Sequence, residues 1–306
     1  MSILDIANDG LPNILVVLYA TVLQKRTPPT EADLLEQIAP SSIVHKGGEK
    51  ARQTLNRWVE LGMFVRETDG NDQRIRLANQ PEKKPADERE LFAAVRCAAR
   101  TCVLDDRNNE NFWDKEDFRS ADCTRALAWL LAQNVYRTSF QTKEIETLER
   151  AQIANTNHRI FQNENRIVGL GYYWAPFLGF TRKADGNDID PTIAIRDILS
   201  QCLKPNSGMP ATDFVQRLAE ILPVLDGGRW RREVEREMNA DALPHVALGQ
   251  LSTSLSRALL ALRFAGDITL EQRADLGSSI VLTGQSGLQP NYRFHWIARP
   301  TLQGVR

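Results

Sequence analysis

The chain is poor in the residue types that build metal centres and disulfide frameworks. Its 306 residues include only four cysteines and four histidines, and the cysteines form no C-x-x-C pair. Such a composition leaves little from which a zinc site could be built, and it is typical of free, buried thiols in a reducing compartment. We therefore predict neither a metal ion nor a cofactor.

The sequence also lacks an excess of charge of one sign and any long hydrophobic run. Lys and Arg number 38 against 39 Asp and Glu, so the chain has no net positive charge that would indicate a nucleic-acid partner. The apolar N-terminal stretch has no basic region before it and is interrupted at Pro12 and Asn13. These features argue against a signal peptide and a membrane span, and we expect a cytoplasmic protein.

Common catalytic motifs are missing as well. The chain has no G-x-x-x-x-G-K-S/T loop, no G-x-S-x-G elbow and no H-E-x-x-H pair. The acidic cluster Asp114, Lys115, Glu116 and Asp117 could be imagined as a metal-dependent nuclease site. Because four adjacent side chains point in different directions, a solvated loop is the better interpretation, and we predict a protein without catalytic activity.

What the chain does have is a repeated turn. "LGMFVRETDGND" begins at Leu61, and "LGFTRKADGND" begins at Leu178. Both run from Leu-Gly through an aromatic residue and an arginine to Asp-Gly-Asn-Asp. The residues suit a helix stop followed by a tight hairpin, although turns favour Asp, Gly and Asn for local reasons and could match by chance.

The first copy stands at the end of a recognisable order of elements. "LPNILVVLYATVLQ" has a helical apolar stripe, Thr30 is a candidate N-cap for the helix "EADLLEQI", and "EKARQTLNRWVELG" places Ala51, Leu55 and Trp58 on one face. "MFVRE" and "RIRLA" then read as two strands around "TDGNDQ". Helix, helix, helix and hairpin is the order of a winged helix-turn-helix.

Two turn-rich linkers, at residues 79–88 and 203–212, divide the chain into three predicted domains. Residues 1–80 form the first winged helix, and residues 86–203 form a second, winged-helix-like helical domain. Residues 207–306 form a third helical domain, in which three helical patterns precede a strand-turn-strand pattern at 267–284, so a winged-helix-like unit is a candidate there as well. The tail "NYRFHWIARP" predicts an added strand in that C-terminal hairpin. The fold class expected is mainly α with small β-hairpins, arranged as tandem winged helix-turn-helix units.

Winged helices mostly bind DNA with the third helix in the major groove. In the first unit, the candidate contacts are polar residues of the third helix at i, i+4, i+7 and i+11 and three arginines of the hairpin. In the second unit, the candidates lie on a predicted helix "NHRIFQNENRIV". The DNA-binding set is Lys46, Lys50, Gln53, Arg57, Arg66, Arg74, Arg76, Arg159, Gln162, Asn163 and Arg166.

Charge leaves an alternative open. Residues 1–80 hold nine Lys and Arg against ten Asp and Glu, so the first unit binds DNA only if its charges are segregated by face. Polar residues opposite an apolar stripe are also what any solvated helix shows. In the third domain, "RWRREVERE" alternates in sign and indicates a salt-bridged surface helix. The alternative is a scaffold whose winged helices dock protein partners.

The opening "MSILDIANDGLPNILVVLY", followed by "TLNRWVELGMF" and the hairpin, resembles the DpdG family over about the first 80 residues. DpdG belongs to the bacterial Dpd clusters, which install deazapurines in DNA and are thought to restrict unmodified DNA. The resemblance implies a cytoplasmic accessory protein of a DNA-modification and phage-defence system and brings no catalytic residues with it. The expected partners are double-stranded DNA and other subunits of such an assembly, and a homodimer is left open.

Overall fold

The computed structural model describes residues 2–5, 12–43, 48–114, 119–138, 140–183, 187–242, 247, 249–273, 278–285 and 287–300. Contacts divide the chain into two compact units, each made of two segments. Unit 1 comprises Met1–Cys123 and Asn163–Leu178, and unit 2 comprises Thr124–Gln162 and Gly179–Arg306. These units are defined by contacts, whereas the three predicted domains were defined by linkers, and the three-domain division stays a prediction.

The described chain is mainly helical, with short antiparallel strands, as the sequence predicts. No helix among the described residues is long and apolar enough to cross a membrane. The helices are α1 (Pro12–Gln24), α2 (Glu31–Ile38), α3 (Glu49–Glu60), α4 (Glu88–Leu104), α5 (Ala121–Ala132), α6 (Thr142–Gln152), α7 (Glu164–Val168), α8 (Ala175–Leu178), α9 (Thr192–Cys202), α10 (Ala211–Ile221), α11 (Arg229–Glu237) and α12 (Thr253–Phe264). A π-helical stretch, Gly169–Trp174, joins α7 to α8.

The strands form four small sheets. They are β1 (Phe64–Asp69), β2 (Asp72–Leu77), β3 (Thr181–Lys183), β4 (Asn187–Ile189), β5 (Ser207–Pro210), β6 (Thr269–Glu271), β7 (Ile280–Gly284), β8 (Gly287–Phe294) and β9 (Trp296–Arg299). β1 pairs with β2, β3 with β4, and β7 with β8, while β9 lies between β5 and β6.

The start of α2 and the end of α3 lie where local chemistry predicts them. The Thr30 side chain accepts a hydrogen bond from the Asp33 backbone N–H at 3.1 Å, so Thr30 is the N-cap of α2. α3 ends before Gly62, whose φ of 85° lies in the left-handed region that favours glycine. The predicted helix, helix, helix and hairpin order is thus present in residues 12–77.

The first hairpin is tied to the helices by more than its own turn. Phe64 pairs with Leu77 at its base, and Gly70, with a φ of 64°, occupies the tight turn. The Ile75 backbone N–H donates to the Pro29 carbonyl at 2.9 Å, and Thr30 forms an isolated antiparallel bridge with Arg74. The residue before α2 therefore extends the hairpin by one short pairing.

The core of unit 1 centres on two tryptophans. Trp58 of α3 and Trp174 of the π-helix are both almost fully buried, and their ring centroids lie 5.6 Å apart. Leu15 and Leu55 are fully buried with them, in agreement with the apolar faces predicted for α1 and α3. A Cβ atom on Gly169 would lie 2.0 Å from the Leu4 carbonyl oxygen, so only glycine allows this close approach.

The second Leu-Gly pair also ends a helix and precedes a hairpin. α8 ends at Leu178, Gly179 has a φ of 84°, and β3 and β4 form an antiparallel pair. Asp185 and Gly186 of the repeated tetrad lie outside the described residues. Both Leu-Gly pairs thus lie between a helix and a strand pair, while the repeat itself, with three helices superposed in each copy, stays a prediction.

The strand pairing predicted near the C-terminus was wrong. β6 does not form a hairpin with β7, because β6 pairs with β9 and β7 pairs with β8. Only two residues separate Gly284 from Gly287, a length suited to a tight hairpin, whereas eight residues separate β6 from β7. The short connection between β7 and β8 therefore favours the pairing of these two strands.

Candidate nucleic-acid interface

The exposed face of α3 is the first part of the candidate site. Trp58, Leu55 and Ala51 turn inward, and the face opposite them holds the residues at i, i+3, i+7 and i+11 from the start of the helix. They are Glu49, Arg52, Asn56 and Glu60. Of these, Arg52 exposes 58% of its side chain. This face carries a guanidinium and an amide, the groups that contact phosphates and base edges.

The polar face predicted for α3 is exposed only in part. Arg57 is 5% exposed and pairs with Glu60 at 2.8 Å, so it does not present its charge to solvent. Gln53 is half-buried, and its amide nitrogen donates to Glu49 at 3.2 Å. Lys50 is exposed as expected, and Lys46 lies outside the described residues. The buried face extends over the flank that holds Arg57.

The three hairpin arginines are all accessible in part, and each is paired with a carboxylate. Arg74 Nε lies 2.6 Å from Asp69, which raises the pKa of the guanidinium above its ordinary value through this hydrogen bond. Arg76 pairs with Glu67 across the hairpin. The outer part of the hairpin is therefore nearly neutral as it stands.

Arg66 has a different arrangement, because its side chain joins the hairpin to α2 and to α3. Its Nε donates to Glu31 at 2.8 Å, and its Nη2 donates to the Asn56 side-chain oxygen. Arg52 Nη1 lies 3.8 Å from the other oxygen of Glu31. We call these four residues, Glu31, Arg52, Asn56 and Arg66, the junction cluster.

Arg52 and Asn56 were not among the residues predicted from the sequence. The predicted face started from Lys46 and was not centred on the side opposite Trp58 and Ala51. The signal was available, since Arg52 and Asn56 follow Glu49 at i+3 and i+7 on the side away from that apolar pair. The role of Glu31 could not be found from the sequence, because it lies 35 residues from Arg66.

The second predicted set of DNA contacts does not lie on one helix. Arg159 follows a short 3-10 turn and Gln162 is exposed beyond it, whereas Asn163 is the N-cap of α7. Arg166, on α7, lies 3.7 Å from the buried carboxylate of Asp122. Arg159 and Gln162 belong to unit 2, while Asn163 and Arg166 belong to unit 1.

A buried carboxylate explains why the predicted helix is interrupted. Glu149 is 3% exposed and accepts hydrogen bonds from the Ile160 backbone N–H at 2.6 Å and from the Phe161 backbone N–H at 3.3 Å. These N–H groups are thereby used outside a helical ladder. The helix then starts anew at Glu164, with Asn163 accepting from the Arg166 backbone N–H at 3.2 Å.

The possible metal ligands, the cysteines, the basic helix α11 and the acidic cluster were also candidates in the sequence. Among the residues that the structure describes, no group of three or more His, Cys, Asp and Glu side chains could hold a metal ion. Burial raises the pKa of the Cys102 and Cys202 thiols to about 12. In α11, Arg231 and Arg236 pair with glutamates of the same helix, as predicted. Residues 115–117 of the acidic cluster lie outside the described residues.

Comparison with known protein families places the chain. The model of the DpdG-like family matches residues 1–276, which is most of the 306 residues. The chain belongs to the DpdG-like family, and the resemblance seen in its first 80 residues is confirmed. The family connects it with the Dpd DNA-modification system. No curated protein and no solved structure matches the chain.

Proposed function

We propose that this DpdG-like protein is a non-catalytic DNA-binding component of a Dpd modification and defence assembly. In this proposal residues 12–77 are a winged helix that contacts duplex DNA with the exposed face of α3 and with the hairpin. The pairing of Thr30 with β2 supports the winged-helix assignment, because it fixes the hairpin beside α2. A second winged helix ending in β3 and β4 remains part of the proposal.

The observation that carries the proposal is the junction cluster. Arg52 from α3 and Arg66 from β1 converge on one carboxylate, and Asn56 on the exposed face of α3 accepts a hydrogen bond from Arg66. A helix and a hairpin that present guanidiniums side by side can contact consecutive phosphates while an amide reaches a base edge. The proposal also includes Lys50, which is exposed on another flank of α3, and Arg74 and Arg76, which lie on the hairpin face opposite Arg66.

Duplex binding measured by fluorescence anisotropy tests the proposal. The test variant carries Arg52→Ala and Arg66→Ala, and the matched control carries Arg217→Ala and Arg236→Ala. The control also loses two exposed arginines that are paired with glutamates, but these lie on α10 and α11. We expect the test variant to lose at least about tenfold in affinity at low salt and the control to stay close to wild type. Equal losses in both variants would refute the assignment of the surface.

The second candidate, a scaffold, is supported by two observations. Arg74 and Arg76 are already paired within the hairpin, which leaves that part of the surface without net positive charge. Tyr172 and Tyr173 expose 48% and 36% on the π-helix, a backbone form that is often found at functional sites. If wild type shows no duplex binding at low salt, while Tyr172→Ala with Tyr173→Ala abolishes capture of a protein from the same Dpd cluster, the scaffold is the function.

A further inference from the structure

The Glu31 carboxylate occupies the place between two guanidiniums where an anion of similar geometry would bind. One of its oxygens lies 2.8 Å from Arg66 Nε, and the other lies 3.8 Å from Arg52 Nη1. The two arginines come from different elements, β1 and α3, and both lie within ion-pair distance of this carboxylate. Two oxygens shared between two guanidiniums is also the arrangement that a DNA phosphate offers.

Glu31 is held in this position by its own helix. It is the first residue of α2, directly after the Thr30 N-cap, where a negative charge is favoured by the helix dipole. Its side chain is 19% exposed, less than the 31% and 58% of Arg66 and Arg52. The carboxylate is thus fixed in the protein, while both cations remain accessible from solvent.

We propose that Glu31 is an intramolecular competitor of the DNA backbone, and that a phosphate displaces it from Arg52 and Arg66 when duplex DNA binds. This inference rests on the proposed DNA-binding function. The competition lowers the affinity of the protein for any duplex, because each binding event must first separate the carboxylate from the two guanidiniums. In the free protein, the Glu31 carboxylate also keeps Arg66 oriented toward Asn56.

Glu31→Gln tests the competition, and Glu36→Gln is the matched control. Both remove one negative charge from α2, but the hydrogen bonds of the Glu36 carboxylate go to Ser41. Because an exposed ion pair contributes little, we expect Glu31→Gln to tighten duplex binding by about two- to fivefold. The control should change binding by less than about twofold. A triple variant that adds Arg52→Ala and Arg66→Ala to Glu31→Gln should lose the gain.

A second variant keeps the test decisive if Glu31→Gln does not fold. Glu31→Asp retains the charge at the start of α2 but shortens the side chain by one methylene group, which draws the carboxylate away from Arg52. We expect an affinity gain in the same direction and smaller in size. Failure of wild type to bind any duplex would refute the proposed function itself. Wild-type binding with no gain in Glu31→Gln or Glu31→Asp, or with an equal gain in Glu36→Gln, would refute the competition alone.

Discussion

Truncation of Trp58 tests the core that supports the candidate interface. The side chain is fully buried on the inner face of α3, and its ring packs against Trp174 at 5.6 Å with an interplanar angle of 38°. Trp58→Ala removes the whole ring system from a closed core, and such a change costs about 3–5 kcal/mol. With a urea m-value of about 2 kcal/mol per molar, the unfolding midpoint should fall by about 1.5–2.5 M.

Two further variants separate the contributions to this loss. Neither indole N–H of the Trp58 and Trp174 pair has a hydrogen-bond partner among the described residues, so Trp58→Phe breaks no hydrogen bond and should cost only about 1–2 kcal/mol. Changing both tryptophans to Leu, singly and together, removes the ring–ring contact and should reveal a coupling of about 0.5–1.5 kcal/mol between the two rings.

The assay is urea unfolding followed by far-UV circular dichroism, and the control is Tyr172→Ala, which removes an aromatic ring from the π-helix that carries Trp174. Tyr172 is 48% exposed, so its truncation should change the free energy of unfolding by no more than about 0.5 kcal/mol. An unchanged midpoint in Trp58→Ala would contradict the inward orientation of Trp58 on α3. A loss of similar size in Tyr172→Ala would mean that the π-helix is buried on its outer side.

Two other predictions concern a turn and a buried acid. Gly179→Ala should lower the free energy of unfolding, measured by thermal unfolding, by at least about 1 kcal/mol more than Gly70→Ala does. Both glycines have positive φ, but only at Gly179 would the new Cβ meet a backbone atom, at 2.9 Å. Equal losses would contradict this packing. Burial raises the pKa of the Glu149 carboxyl above its ordinary value of 4.5, so the folded protein keeps this carboxyl protonated at pH values where the unfolded chain has lost the proton. The free energy of unfolding therefore falls as the pH rises from 4.5 through the raised pKa. Glu149→Gln should therefore raise the unfolding temperature at pH 7 and have little effect near pH 4, and the same effect at both pH values would refute the assignment.

The sequence predicted the elements whose signals are local. The Thr30 N-cap, the left-handed glycines after α3 and α8, and the Asp-Gly turn of the first hairpin are each determined by a few adjacent residues. The buried side of α3 followed from the spacing of Ala51, Leu55 and Trp58. These predictions were confirmed because propensity and packing favour the same structure at those positions.

The errors arose where distant residues decide. The helix predicted across Arg159 and Gln162 is interrupted because the Glu149 carboxylate accepts hydrogen bonds from the backbone N–H groups of Ile160 and Phe161. Arg57 is buried although its position on α3 lies at the edge of the apolar face, which spacing alone does not resolve. Glu31, Arg52 and Arg66 meet only in the folded protein, so their cluster has no signal in the sequence.

The salt dependence of duplex binding tests the central claim most directly. Each phosphate that a cation neutralises contributes about −0.9 to the slope of log affinity against log salt concentration. If Arg52 and Arg66 contact phosphates, wild type should bind with a steep slope, and the Arg52→Ala, Arg66→Ala variant should have a slope shallower by about 2 for every duplex sequence tested. Absence of binding at low salt, or a slope that the double variant leaves unchanged, would contradict the account.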